Sequence, residues 1–214
     1  AWTLRTLGHA AYITPDNHPL KSFFVSKLNN NINEYDANYT NNASALSLGY
    51  LTNGYTVKNE NGGRGQISVW NDDAFTMVVN WLVSMGFTNA EPLRDWKSKF
   101  IIGRFANHPT FCKQDSAPYR FVVQYTYGVG PFIDDWAELF AATFPSHVGN
   151  CPSTWYGSPG DPESYVSIMR GALTAAKAAG YVNATSYFDE IVGVQSNAGA
   201  RFDLTPQWAI MPRE

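Results

Sequence analysis

The sequence predicts a mainly α-helical protein built from antiparallel helical hairpins, and three observations lead to this fold class. Apolar residues recur at spacings of three and four, which places them on one face of an α-helix. Short junctions that contain proline or glycine join the helical stretches in pairs. Stretches rich in asparagine and glycine separate the pairs and predict long loops. The seven predicted helices span residues 1–14, 19–35, 73–86, 92–105, 132–144, 162–179 and 184–193.

The first two helices form the first predicted hairpin. Leu4, Leu7 and Ala11 fall on one face of the first helix. Pro19 begins the second helix, because a proline in the first turn leaves no intrahelical hydrogen bond unmade. The short junction between the two helices predicts neighbours that run antiparallel.

The third and fourth helices form the second hairpin. The third helix has Phe75 and Leu82 on one face, with Met77 and Trp81 on another. A helix that is apolar on two faces packs between neighbours, so we expect the third helix to be the most buried. The junction before the fourth helix ends in proline and leucine, as does the junction before the second helix. This similarity indicates a weak internal repeat of α-hairpins.

The last three helices follow a long irregular stretch. Trp136 and Phe140 share the apolar face of the fifth helix. Asp161 is the predicted N-cap of the sixth helix and Pro162 its first helical residue, while Gly180 ends it. The seventh helix is short and pairs with the sixth to form the third hairpin.

The loops contain the only predicted extended structure. Asn53 and Gly54 lie between two β-prone stretches within residues 49–57, which predicts one small β-hairpin. Residues 119–127 are expected to be irregular or extended, and residues 145–161 form a loop rich in proline and glycine. Functional residues are concentrated in long structured loops of this kind.

Composition excludes several classes of function. The chain has 214 residues and a formal net charge of -3, with its lysines and arginines scattered. A scattered distribution of basic residues argues against a nucleic-acid partner. No apolar run approaches ~18 residues, so no membrane span is predicted. The length fits a single domain over residues 1–214.

The two cysteines leave two alternatives open. Cys112 and Cys151 both lie in irregular stretches, where they form one disulfide in an oxidising compartment or remain two buried free thiols. Few charged residues and many aromatic and asparagine residues are typical of exported proteins, so we expect an extracytoplasmic location. No cysteine and histidine spacing typical of a metal site is present, and we expect no cofactor.

Several motifs resemble those of a known group of proteins. The paired helices with long loops look like an α/α toroid, the helical barrel shared by many polysaccharide lyases and glycoside hydrolases. Individual motifs are similar to those of large uncharacterised bacterial proteins with a predicted toroid. The motifs are Val69-Trp-Asn-Asp-Asp-Ala-Phe75, Gly86-Phe87, Trp96-Lys97, Gly103-Arg104-Phe105 and Pro206-Gln-Trp-Ala-Ile-Met-Pro-Arg213.

The resemblance implies a carbohydrate-active module, part of a polysaccharide lyase or glycoside hydrolase that binds a polysaccharide. Three hairpins make about half of a six-hairpin toroid, and the chain opens on Ala1 within a helical pattern. We therefore expect the C-terminal part of a larger toroid, with the remainder of the parent polypeptide as its partner. The alternative is a non-catalytic binding or structural module of a cell-surface or particle-associated protein, because a fold does not fix a function.

The stretch Trp70-Asn71-Asp72-Asp73 allows a structural and a catalytic interpretation. Asparagine and aspartate are favoured N-caps, so Asn71 or Asp72 is expected to begin the third helix. One cap does not require three polar residues, however. Adjacent carboxylates in a cavity can differ in pKa and serve as acid and base, and Trp70 beside them can stack on a sugar ring. Asp72 and Asp73 are therefore candidate catalytic residues.

Other candidate residues lie on the first helix and in the loops. His9 and Tyr12 share a helix face and are a candidate base and acid, although an ordinary solvated helix edge explains them as well. Arg120 in an aromatic loop is a candidate clamp for a carboxylate. Tyr119, Trp155 and Tyr156 are the remaining candidate substrate-binding residues, which can instead be core anchors.

Overall fold

The computed structural model describes residues 1–52, 55–59, 62–157 and 164–195, and the described part is mainly helical. Within these described residues, the regular structure consists of seven α-helices and three short strands, in addition to a π-helical turn that extends the second helix and three short 3₁₀ turns. The helices are α1 (Trp2–Ile13), α2 (Lys21–Tyr35), α3 (Val69–Ser84), α4 (Glu91–Ala106), α5 (Trp136–Thr143), α6 (Tyr165–Ala178) and α7 (Ala184–Val194). The strands are β1 (Thr56–Lys58), β2 (Gly65–Ser68) and β3 (Arg120–Gln124).

The helices pair as the sequence predicts. The pairs α1–α2, α3–α4 and α6–α7 pack as neighbours, and α3 joins the three pairs because it also contacts α1 and α6. Ten of the 14 residues of α6 are buried, against nine of the 16 residues of α3. The prediction that the third helix is the most buried is therefore wrong. The cause is the position of α6, which packs against α3, α4 and α7 together.

Two helices start four residues away from the predicted position. α3 begins at Val69, four residues before the predicted start, because β2 leads directly into it. α5 begins at Trp136, after Asp135, whose side chain accepts a hydrogen bond from the amide of Glu138 and so caps the helix. The carboxylate of Asp134, directly before this cap, accepts hydrogen bonds from the backbone amides of Ser47 and Leu48, in the segment before β1. The predicted cap of the sixth helix at residues 161–162 lies outside the described residues.

The three strands form one antiparallel sheet in the order β1-β2-β3. Val57 of β1 pairs with Gln66 of β2, and Ile67 of β2 pairs with Phe121 of β3. β3 confirms the extended structure expected within residues 119–127. The predicted hairpin is misplaced, because β1 pairs with the following strand and the preceding residues 49–52 form no strand. The predicted turn at residues 53–54 lies outside the described residues.

Three apolar clusters make up the core. The first surrounds the sheet and α5, the second lies among α1 to α4, and the third joins α4, α6 and α7. Glycines allow the helices to approach closely at three places in these clusters. A Cβ atom on Gly8 would overlap Leu82, one on Gly171 would overlap Met77, and one on Gly103 would overlap the ring of Trp136.

Replacing two helical glycines by alanine is predicted to change stability in opposite directions. Gly103→Ala forces the Trp136 ring out of its position on α4, and overpacking of this kind lowers the free energy of unfolding by ~1–3 kcal/mol. Gly193→Ala in α7 meets no atom within 4 Å. Better helix propensity then raises the free energy of unfolding by roughly 0.5–1 kcal/mol. Urea denaturation of both variants measures the difference, and a stabilised Gly103→Ala variant would contradict the packing described.

Candidate functional site

Asp72 lies at the end of the first turn of α3 and Asp73 at the start of the second, and neither caps the helix. The N-cap of α3 is Ser68, whose side chain makes no capping hydrogen bond. The prediction that Asn71 or Asp72 caps this helix is therefore wrong, because the helix begins before either residue. Both carboxylates point instead into the protein, and only 5% of Asp72 and 2% of Asp73 is exposed to solvent.

Asp72 forms an ion pair with Lys97 of α4. The ammonium of Lys97 donates to Oδ2 of Asp72 and also to the carbonyl oxygen of Gly49, at 2.9 Å. The other carboxylate oxygen accepts a hydrogen bond of 3.1 Å from the amide of Leu51. This pair therefore binds the backbone of residues 49–51, which explains why those residues form no strand.

Asp73 forms a second ion pair, with Arg104 of α4. The guanidinium approaches both oxygens of the carboxylate, with Nη1 at 3.2 Å from Oδ2 and Nη2 against Oδ1. Nη1 also donates to the carbonyl oxygen of Ser116 at 2.6 Å, and Nε donates to that of Phe100 at 3.3 Å. A fork of this kind fixes the orientation of both side chains.

Burial and the neighbouring charge shift the pKa of Asp73, and likewise that of Lys97, in opposite directions. Burial raises the pKa of the Asp73 carboxyl, and the Arg104 guanidinium opposes that shift. Burial lowers the pKa of the Lys97 ammonium, and the Asp72 carboxylate opposes that shift. Charges in a protein interior are tolerated when they are paired and hydrogen-bonded. These contacts account for both acids as structural residues, and their catalytic role stays a prediction.

The predicted base and acid on α1 do not join the two carboxylates. His9 and Tyr12 lie on the exposed side of α1. The neighbouring Gly8 packs against Leu82, near the C-terminal end of α3. Ten helical residues separate Asp72 from Leu82, a rise of about 15 Å along the helix. The four candidate catalytic residues therefore fall into two separate groups, one on α3 and one on α1.

Three aromatic side chains from separate elements lie side by side, and we refer to Trp70, Tyr119 and Tyr165 as the aromatic row. The rings of Trp70 and Tyr165 are stacked, with centroids 6.4 Å apart, and those of Tyr165 and Tyr119 are 5.7 Å apart. Trp70 is in the first turn of α3, Tyr119 directly precedes β3, and Tyr165 begins α6. The amide of Val69 donates to the carbonyl oxygen of Tyr119 at 3.2 Å, which fixes two of these elements together.

Arg120 extends the aromatic row at one end. Its Cζ atom lies 5.0 Å from the centroid of the Tyr119 ring, within the range of a cation–π contact. Nη1 has one long contact of 3.5 Å, to Oε1 of Gln66, and no carboxylate pairs with Arg120 among the described residues. Tyr119 is 47% exposed, whereas Trp70 and Tyr165 are partly buried. The row therefore presents the aromatic surface of Tyr119 to solvent, with the partly buried Arg120 beside it.

The other two candidate substrate-binding residues lie elsewhere. Trp155 packs on Phe105 in the cluster of α4, α6 and α7, with centroids 6.1 Å apart. Tyr156 packs on Phe144, with centroids 6.0 Å apart. Tyr165 is the member of the row that the sequence did not single out, because its helical spacing placed it on the apolar face of the sixth helix.

Cys112 and Cys151 are joined by a disulfide, with Cα atoms 5.3 Å apart. No group of three or more histidine, cysteine or acidic side chains within the described segments is suited to hold a metal ion. None of the helices in the described segments has both the length and the apolar character needed to cross a membrane.

Comparison of the chain with known protein families, curated proteins and solved structures gives no match.

Removing the charge of Asp73 is predicted to destabilise the fold strongly. Asp73→Asn leaves the guanidinium of Arg104 buried without a counter-charge, and breaking a buried pair in this way costs ~3–5 kcal/mol. The matched control is Asp16→Asn, because Asp16 also pairs with a cation but its side chain is 97% exposed. Thermal and urea denaturation of both variants measure the difference.

The double variant Asp73→Leu with Arg104→Met tests the cause of the instability predicted for Asp73→Asn. The cause is either the unpaired guanidinium of Arg104 or the loss of the ion pair itself. Replacing both charged partners by apolar residues removes the unpaired guanidinium, so this variant is expected to be more stable than Asp73→Asn. An Asp73→Asn variant as stable as Asp16→Asn would show that the pair does not hold α3 against α4.

Proposed function

We propose that this chain is a carbohydrate-binding module of a larger carbohydrate-active protein, and that the aromatic row binds the sugar chain. The observation that carries the proposal is the convergence of Trp70, Tyr119 and Tyr165 beside an arginine without an ionic partner in the described structure. Tryptophan, tyrosine and arginine are the residues that contribute most to binding energy at interfaces. Three of the five predicted substrate-binding residues belong to this arrangement.

The chemistry of the row suits a sugar ring that carries an acidic group. Aromatic rings offer rigid apolar surface to the C–H groups of a sugar at a low cost in conformational entropy. The guanidinium of Arg120 is a planar donor that matches the geometry of a carboxylate. A few polar groups beside apolar surface are typical of small-molecule sites, where the polar groups fix orientation.

The positions of the candidate residues favour sugar binding over catalysis within this chain. Asp72 and Asp73 are already paired with cations, and His9 and Tyr12 lie on another surface. The proposal therefore assigns any lyase or hydrolase chemistry to the rest of a parent protein, in which these hairpins form part of a toroid outside the cytoplasm. The second candidate, a structural module at a cell or particle surface, is favoured by the same separation of the four candidate catalytic residues.

Replacing Tyr119 by alanine is predicted to weaken polysaccharide binding. We expect the loss of this exposed ring to lower affinity roughly tenfold or more, the effect typical of a central aromatic anchor. Affinity electrophoresis of the full chain in gels that contain acidic or neutral polysaccharides, followed by calorimetry on any ligand found, measures the effect. Tyr127→Ala is the matched control, because Tyr127 is exposed to a similar extent, 43% against 47%, and lies outside the row.

Two outcomes would count against carbohydrate binding at this row. Retardation of the wild-type chain by none of the polysaccharides would favour the structural module. Equal losses for Tyr119→Ala and Tyr127→Ala would place any binding outside the aromatic row. Thermal denaturation of both variants establishes that a loss of binding does not follow from unfolding.

A further inference from the structure

Two loop segments lie side by side at one end of the sheet, and we call residues 108–118 and 145–157 the paired loops. The disulfide joins Cys112 of the first loop to Cys151 of the second. Farther along both loops, the amide of Tyr156 donates to the carbonyl oxygen of Gln114 at 2.9 Å. The covalent bond is therefore accompanied by weaker contacts between the same two segments.

A buried carboxylate depends on the contact between these loops. Asp115 is only 1% exposed, and its Oδ2 lies 2.7 Å from Nδ1 of His147, in the second loop. Among the described residues, His147 is the one side chain that hydrogen-bonds this carboxylate. The ring of His147 is held parallel to that of Phe144, with centroids 5.7 Å apart. Moving the second loop away breaks this hydrogen bond and uncovers the Asp115 carboxylate.

The two sulfur atoms differ in their access to solvent. Cys112 is fully buried, whereas Cys151 is partly exposed and lies next to the exposed Asn150. Nδ1 of His108 is 4.0 Å from Sγ of Cys151, where the imidazole can interact with a thiolate. Thiol–disulfide exchange requires direct attack on a sulfur atom, so a reductant reaches this disulfide at Cys151.

We propose that the Cys112–Cys151 disulfide is a redox switch that holds the paired loops closed. A thiolate of a dithiol reductant attacks Sγ of Cys151, which breaks the S–S bond and releases Cys112 as a thiolate that takes up a proton. The second thiol of the reductant, as its thiolate, then displaces Cys151, which is protonated in turn. The dithiol is oxidised to a disulfide and the protein gains two thiols.

Opening of the loops follows from the loss of the bond. The hydrogen bonds of His147 and Tyr156, which are individually weak, then join the second loop to the first, while Trp155 still packs on Phe105. Separation of the loops lets water reach the Asp115 carboxylate, so hydration replaces its lost partner. The helices α3 and α6 stay in place, because they pack mainly against each other and against α4 and α7.

Hydrogen exchange of the full chain before and after reduction by dithiothreitol tests the switch. We expect faster exchange within residues 108–118 and 145–157 and unchanged protection in α3 and α6. Alkylation and mass measurement establish that both cysteines are reduced. Unchanged exchange in the paired loops of the fully reduced protein would overturn the proposal. Unfolding of the entire chain on reduction would also overturn it, because the disulfide would then be a global stabiliser.

Attack by a monothiol on the intact protein tests the assignment of Cys151 as the attacked sulfur. Glutathione that attacks Sγ of Cys151 forms a mixed disulfide with Cys151 and leaves Cys112 as a free thiol. After brief exposure to glutathione and an acid quench, we expect peptide mapping to find the adduct on Cys151 roughly tenfold or more often than on Cys112. Equal amounts, or more adduct on Cys112, would contradict the assignment.

Discussion

The two buried ion pairs between α3 and α4 are the constraint on which the rest of the described structure depends. Asp72 and Asp73 are adjacent on α3, and each meets its own cation on α4. Successive residues of a helix differ by about 100° in direction, so only one rotation of α3 pairs both carboxylates. Any other rotation buries an unpaired charge, which costs several kcal/mol. The pairs therefore fix the relative position of the two helices more narrowly than apolar packing does.

The same pairs also hold irregular segments in the interior. Asp72 and Lys97 bind the backbone of residues 49–51, and Arg104 binds the carbonyl oxygen of Ser116. Buried backbone groups outside helices and sheets need such partners. Ser116 in turn lies three residues before Tyr119 and one residue after Asp115. The ion pairs thus connect the core to the aromatic row on one side and to the paired loops on the other.

The aromatic row and the paired loops differ in how firmly the surrounding structure holds them. The aromatic row lies where α3, β3 and α6 meet, so its rings are positioned by well-packed elements. A binding surface benefits from such rigidity, because little entropy is lost when a ligand binds. The paired loops contact each other through one covalent bond and two hydrogen bonds, while Phe111 and Trp155 anchor them separately to the apolar clusters. Segments of this kind open at a lower free energy than the core.

The sequence by itself determined the helical class, the pairing of the helices and most of their positions, because apolar periodicity and proline junctions act over a few residues. It also singled out Trp70, Tyr119 and Arg120 through their local chemistry. Only the tertiary structure decided the roles of Asp72 and Asp73, since a capping residue and a buried ion pair have the same local sequence and differ in what α4 places opposite them. Tertiary contacts also placed Tyr165 in the aromatic row and kept residues 49–52 from forming a strand. The partners of these residues lie far away in the chain, and periodicity carries no information about them.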